Sequence, residues 1–269
     1  GNIVLFNYAM YTTALPAGFE NKFIDISLKY SCYNYSFVWN NEQEKYYEDM
    51  GIPKEKIKIV GPIIFSGYKI DENLLKEKTD IFETQHINIL LFDISAFDNR
   101  SFLNIEGYPL SLYKNESILA FYKDILDVCK KLYGEKFNLI VKIKRSFSHF
   151  HDKDYIDFIS SLYKMYSQIK ILPYDLNPWY AVACADSVLC VPYTSPAFLA
   201  QYLQIPACYY HSCKDEIESF GCLVEGRQEL ENWMVKNVKY IDNKLNKMIE
   251  YSKEIATVQK NIFNALKDI

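Results

Sequence analysis

Apolar positions along this chain recur with two periods, and the two alternate over most of its length. Short runs with strand-like character, "NIVLFN" (2–7), "FIDISL" (23–28), "YSFVWN" (35–40) and "KIKIVGP" (56–62), predict strands. Between the last two, "NEQEKYYEDM" (41–50) has helical spacing and ends before Gly51, which predicts a helix. A polar stretch, 69–85, leads to "INILLFDIS" (87–95), a nearly continuous apolar run of the kind found in a strand buried on both faces. From there helices are predicted at 116–134, 154–168, 177–185, 227–237 and 242–267, and strands at 137–144, 169–172, 187–191 and 206–211. A short helix is expected to open near Pro196. Strands alternating with helices at this spacing predict an α/β protein with a Rossmann-like, doubly wound parallel sheet. Residues 56–269 suffice for one such lobe. Residues 1–55 are too few for a second, and are expected to be the remainder of an N-terminal lobe or an elaboration on the first. The chain opens on Gly rather than Met, which fits a tag scar or an excised fragment.

Composition narrows the function classes. The 269 residues are 49% hydrophobic and 24% charged, an ordinary globular balance. A net charge of −4 provides no global basic field for nucleic acid. The 23 tyrosines are scattered rather than grouped, which reads as a compositional bias more than as a stacking surface. No stretch approaches the roughly 20 apolar residues of a membrane span, and the start lacks the basic flank and cleavage site of a signal peptide. Seven cysteines without a CxxC pair point to reduced thiols and a cytoplasmic setting. The spacing of Cys208, His211, Cys213 and Cys222 fits no standard zinc pattern, so no metal is expected.

Candidate chemistry gathers at strand ends, where open α/β sheets bind ligands. Four ends are legible: Asp93–Asp98, Lys142–Arg145, Pro173–Pro178 and Pro192–Pro196. The last is the richest. In "VPYTSPAF" Thr194 or Ser195 is placed to cap a helix with Pro196 at its first position, leaving amides and hydroxyls for a phosphate or carboxylate. The strand "LIVKIKR" turns basic at its end with Lys142, Lys144 and Arg145, suited to neutralising an anion. His149 and His151 follow in the next loop as candidates for proton transfer. The long connection "DISAFDNRSFLNIEGYPLS" after the first strand of the lobe carries Asp93, with Ser95, Asp98 and Glu106 beyond. Asp93 is the candidate general base for an attacking hydroxyl. Tyr174 and Tyr193, at two of the strand ends, join the candidate ligand contacts.

Two segments carry a family resemblance. "FVWNNEQEKYYEDMGIPKEKIKIVGPIIF" (37–65) resembles the inter-lobe segment of bacterial surface-carbohydrate glycosyltransferases of the GT-B fold. "NPWYAVACADSVLCVPYTSPAFLAQYLQIPACYY" (177–210) is similar to their donor-site segment. Relatives with this layout include Kdo transferases, bacterial sialyltransferases, glycerophosphotransferases of teichoic acid assembly and UDP-sugar 2-epimerases. The resemblance implies a metal-independent transferase without a cofactor, acting on a nucleotide-sugar donor and a glycan or glycolipid acceptor, in the cytoplasm and in peripheral association with the inner face of the membrane. It places the donor phosphate on Thr194 and Ser195, with Lys142, Lys144 and Arg145 across the cleft. The turn departs from the Asp-Ser-Gly-Gly of the epimerases, and Pro192 stands where the glycerophosphotransferases carry an Asp. After the turn only Gln201 and Gln204 stand where many UDP-sugar transferases place a ribose-binding Glu. That departure leans towards a CMP-linked acid sugar such as CMP-Kdo, for a capsule or lipopolysaccharide. A lobe that binds a nucleotide without turnover, and a CDP-glycerol phosphotransferase, are the alternatives.

Overall fold

The computed structural model describes residues 2–7, 33–49, 51–63, 82, 85–94, 96, 115–144, 146–148, 151–192, 194–212, 223–240 and 244–268. The chain divides into two compact units, Gly1–Asp71 with Asn246–Ile269, and Glu72–Leu245. The division therefore falls after residue 71 and again before residue 246, not at the expected 55/56 boundary.

In the first unit β1 (Val4–Phe6), β2 (Tyr35–Val38) and β3 (Ile57–Ile59) form a parallel sheet in that order. Alternation along the strands sorts side chains to two faces. Val38 and Ile57, with Leu5, pack on Tyr47 of α1 (Asn41–Asp49). Phe37 and Val60, with Val4 and Tyr35, pack on Ile262 and Ala265 of the C-terminal helix, Lys244–Lys267. Trp39 Nε1 donates to the Asn7 carbonyl at 2.7 Å, and Asn7 Nδ2 donates to the Phe37 carbonyl at 2.9 Å, binding the ends of β1 and β2. The segment at 56–62, expected to begin the large lobe, instead supplies β3 of this small sheet, with Ile57 paired to Ser36. The expected strand at 23–28 lies outside the described residues.

The second unit runs β4 (Ile87–Phe92), α2 (Asn115–Tyr133), β5 (Phe137–Lys142), α3 (Lys153–Met165), β6 (Ile169–Leu172), α4 (Pro178–Cys184), β7 (Ser187–Cys190), α5 (Pro196–Tyr202), β8 (Ala207–His211), β9 (Leu223–Glu225) and α6 (Arg227–Asn237). Its six strands are parallel, in the order β6-β5-β4-β7-β8-β9. This is the doubly wound arrangement that the alternation predicted. Ile89–Leu91, Leu139–Val141 and Val188–Cys190 are buried on both faces, which explains their unbroken apolar sequence. Strand β9 went unanticipated because three residues, Leu-Val-Glu, are too few to display a period. Among the described residues, no helix is long and apolar enough to cross a membrane.

Two polar clusters fix this unit. At the N-terminal ends of the strands the Asn88 N–H donates to Asp186 Oδ2 at 2.7 Å, and the Asp186 N–H donates to the Asn88 carbonyl at 2.8 Å. Asn138 Nδ2 donates to Asn88 Oδ1 at 2.9 Å, extending the set to β5. All three side chains are buried, so each pairing specifies register: a one-residue slip would send the apolar positions of a strand to the wrong face. On one flank Tyr210 of β8 donates to Asp124 of α2 at 2.7 Å. Arg227 adds ion pairs to Asp124 and, at 3.0 Å, to Asp127, joining α6 to α2.

Replacing Asp186 with Ala strands the buried Asn88 N–H without its acceptor. The expected loss is about 2–3 kcal/mol of unfolding free energy, the cost of an unmade buried hydrogen bond to a charged group. Urea unfolding followed by circular dichroism measures it, and a change below about 0.5 kcal/mol would deny the register role.

Candidate functional site

The strand order reverses between β4 and β7, so their following connections leave in opposite directions, the arrangement that in open α/β sheets leaves a crevice at the C-terminal strand ends. β4 and β7 are paired, so Asp93 and Val191, which follow them directly, leave adjacent strand ends. The Val191 N–H donates to the Phe92 carbonyl at 3.0 Å, which pins the start of the turn to the end of β4. On the other side of β4, the end of β5 contributes Lys142 and Lys144.

The turn is held from within. Thr194 Oγ1 donates to the Val191 carbonyl at 2.9 Å, and the Tyr209 hydroxyl donates to the Thr194 carbonyl at 3.0 Å. Pro196 takes the first helical position, as anticipated. Ser195 stands at the cap position but makes no side-chain capping bond, contrary to the expectation for this pair. Its backbone, at φ −59 and ψ −27, is already helical, whereas a capping side chain needs the extended conformation to reach back to the first amides. Both residues remain partly exposed at the crevice. Beneath the turn the Cys190 thiol is buried and its pKa is pushed up to about 12 by loss of solvent, with hydrogen bonds from Thr194 and Ala197 opposing the shift. Gln204 takes a left-handed φ of 57 just after α5, so its place in the chain is that of a turn residue.

Asp93 is only 3% exposed. Its Oδ2 accepts from the hydroxyls of Tyr122 on α2 and Tyr155 on α3, each at 2.5 Å. Burial, then the adjacent Asp93 charge, hold the Tyr122 phenol well above the usual tyrosine range. The carboxylate thus joins two helices to the end of β4, and the oxygen that would act as the expected general base is already engaged by two hydroxyls. Tyr122 and Tyr155 were invisible as site residues because they are two among 23 tyrosines.

Lys142 is also 3% exposed. It was expected to face Thr194 and Ser195, but its Nζ donates to the carbonyls of Ile143 at 3.0 Å and Tyr174 at 2.6 Å. Those partners draw it towards the β6 side of the sheet, because β5 is separated from β7 by β4. Desolvation lowers its pKa to about 8, against the opposing pull of Asp175 and Asp93. Lys144 is exposed just past the strand, and Tyr174 is 53% exposed although its carbonyl accepts from the buried lysine.

His151 is buried beside the same edge. The Ser148 N–H donates to its Nδ1 at 2.9 Å, which puts the proton of the neutral ring on Nε2. Phe147, partly exposed, packs edge-on against His151 and Tyr155 at 6.0 and 6.1 Å. The Asp152 N–H donates to the Ala96 carbonyl at 3.0 Å, joining the loops after β5 and β4, and Asp152 Oδ1 caps α3 by accepting from the Tyr155 N–H at 3.1 Å. Arg145, His149 and Tyr193 lie outside the described residues, as do Ser95, Asp98, Glu106, Cys213 and Cys222.

The sequence pattern of the polysaccharide biosynthesis PFTS motif proteins matches residues 2–234. The chain belongs to that family. Read as residue letters, the name resembles Pro192-Tyr193-Thr194-Ser195 of this sequence, with one aromatic exchanged for another. No curated protein matches the chain by sequence. Among solved structures, HepE of Anabaena in complex with UDP-glucose superposes at TM-score 0.52 and 11% identity, over 100% of this chain and 72% of its own. HepE with UDP and glucose gives TM-score 0.50 at the same identity and coverage. A UDP-GlcNAc 2-epimerase from Neisseria meningitidis bound to UDP-GlcNAc gives 0.48 at 11% identity, over 87% of this chain and 61% of its own. At such identity the likeness to HepE is one of fold. This PFTS family member therefore shares a fold with HepE, while its site is defined by its own residues.

The lowered pKa of Lys142 has a measurable consequence. Between about pH 8 and the ordinary lysine value of 10.5 the unfolded chain holds the proton that the folded chain has released. The contribution of this group to stability therefore rises with pH through that window. Unfolding midpoints of the wild type should climb relative to Lys142→Met over that range. Parallel curves for the two proteins would contradict the lowered value.

Proposed function

We propose that this chain transfers a sugar from a nucleotide-activated donor to a glycan or glycolipid acceptor in polysaccharide assembly. The observation that carries this reading is the position of the PFTS-like turn, Pro192–Ser195, beside the end of β4 where the strand order reverses. Membership of a polysaccharide biosynthesis family and the shared fold with UDP-glucose-bound HepE support it. Transfer breaks the bond between the anomeric carbon and the phosphate oxygen, and the leaving phosphate gains negative charge. In this reading the turn with Thr194 and Ser195 receives that charge, helped by Lys144 and Arg145 from the end of β5. Tyr193 and Tyr174 line the donor. His151, or His149 in the same loop, moves the proton, and Asp93 holds the edge of the crevice in shape through Tyr122 and Tyr155.

A CMP-linked acid sugar is the donor favoured by Gln201 and Gln204 in place of a ribose-binding Glu. A UDP-linked hexose is the second reading, favoured by the UDP-glucose bound to HepE. Thermal-shift measurements with CMP, CDP, UDP and GDP separate the two, since a ligand that binds the folded state raises the melting temperature. Release of CMP from CMP-Kdo, or of UDP from UDP-glucose, in the presence of acceptor then establishes transfer. Binding without release would indicate a lobe that only holds nucleotide, and release from CDP-glycerol alone a phosphotransferase.

Thr194→Val combined with Ser195→Ala should weaken nucleotide binding at least tenfold, about 1.4 kcal/mol by calorimetry. Unchanged affinity would remove the turn from the site. His151→Gln should lower kcat by about a hundredfold, the lower end for a lost proton-transfer group, with little change in nucleotide affinity. Wild-type turnover in that variant would release His151 from its role.

A further inference from the structure

Lys142 is placed to do something other than bind an anion. It is the last residue of β5, paired with Phe92 on one side and Leu172 on the other, so a strand flanks it on each side. A buried ammonium needs polar partners to offset its lost hydration. Those it has are two carbonyls, and the shorter bond, 2.6 Å, reaches the Tyr174 carbonyl on the connection between β6 and α4. The two ends of that connection are held locally: the Leu176 N–H donates to the Pro173 carbonyl at 3.2 Å, and Asn177 Oδ1 accepts from the Trp179 N–H at 2.9 Å. Its middle is held from the sheet by Lys142. The Tyr174 carbonyl is thus engaged by the sheet while the residue itself remains exposed.

We propose that Lys142 is a positioning residue that fixes the β6–α4 connection through the Tyr174 carbonyl, so that the Tyr174 ring is presented to the flat, nucleobase end of the donor. This rests on the reading of the crevice as a nucleotide-sugar site. The spacing suits it: β6 lies three strand positions from β7, about 14 Å at roughly 4.8 Å per strand. Phosphate at the turn after β7 and base at the loop after β6 would lie at opposite ends of one extended ligand. An aromatic side chain stacks any base, so Tyr174 would contribute affinity with little selectivity among bases.

Hydrogen exchange on the ligand-free chain tests the positioning role directly. In Lys142→Met, amide exchange over residues 174–177 should quicken at least tenfold, while residues 187–190 of β7 keep their protection. Unchanged exchange at 174–177 would overturn the proposal. If Lys142→Met fails to fold, Lys142→Gln keeps a polar head in the same slot and is judged by the same two segments. Calorimetry with UDP and with CMP supplies the second readout. If Lys142 acts through Tyr174, Lys142→Met should add little to the loss caused by Tyr174→Ala, so that the double variant binds within about twofold of Tyr174→Ala alone. A full additional loss in the double variant would mean that the lysine touches the ligand itself, and would also overturn it. Failure of both nucleotides to bind the wild type would instead count against the proposed function, and the exchange measurement would still decide the positioning role.

Discussion

The reversal of strand order between β4 and β7 is the constraint on which the rest of the second unit depends. In a parallel sheet every connection crosses over one face or the other, and only where the direction of winding changes do two neighbouring strand ends stay uncovered by their own helices. Here that point brings together two loops of opposite character. The one after β7 is a short turn stiffened by two prolines and by bonds from Thr194 and Tyr209. The one after β4 begins with a buried carboxylate anchored to two helices.

The two ends of the sheet use buried polar groups differently. At the N-terminal ends Asn88, Asn138 and Asp186 are bound to one another across adjacent strands, and they specify pairing. At the C-terminal ends Asp93, Lys142 and His151 are bound mainly to loops and helices outside the sheet. Such groups are costly to bury unless they are paired, and each of these three has a partner beyond the sheet. Lys142 and Asp93 are also close enough to sense one another's charge, so the shape of the β6–α4 connection and the anchoring of α2 and α3 share one electrostatic environment.

Most of the second unit was legible because its strands are buried on both faces and its helices carry apolar stripes. Phe137–Lys142, Ile169–Leu172 and Arg227–Asn237 fall within a residue or two of their expected limits. What escaped was decided by pairing rather than by period. Nothing in "KIKIV" distinguishes a strand that joins β2 from one that joins β5, and β9 is three residues long. The site was half legible for the same reason. The turn could be read from its prolines and hydroxyls, since backbone preference dictates it. The direction of a lysine could not, because alternation assigns a face of the strand and not the carbonyl that a long flexible side chain will reach. The bonds of Tyr122, Tyr155 and Tyr209 were likewise hidden within an overall richness in tyrosine.

The cysteine under the turn has a consequence of its own. Cys190 is sealed between β7 and α5 with its thiol held protonated far above physiological pH, and the other described cysteines, Cys129, Cys184 and Cys208, are also buried. The thiolate is the reactive species, so oxidants and alkylating agents have no foothold on the floor of the crevice while it stays closed. Any adduct found on Cys190 would record a moment when β7 and α5 had parted, which makes this sulfur a built-in witness to breathing of the fold beneath the turn.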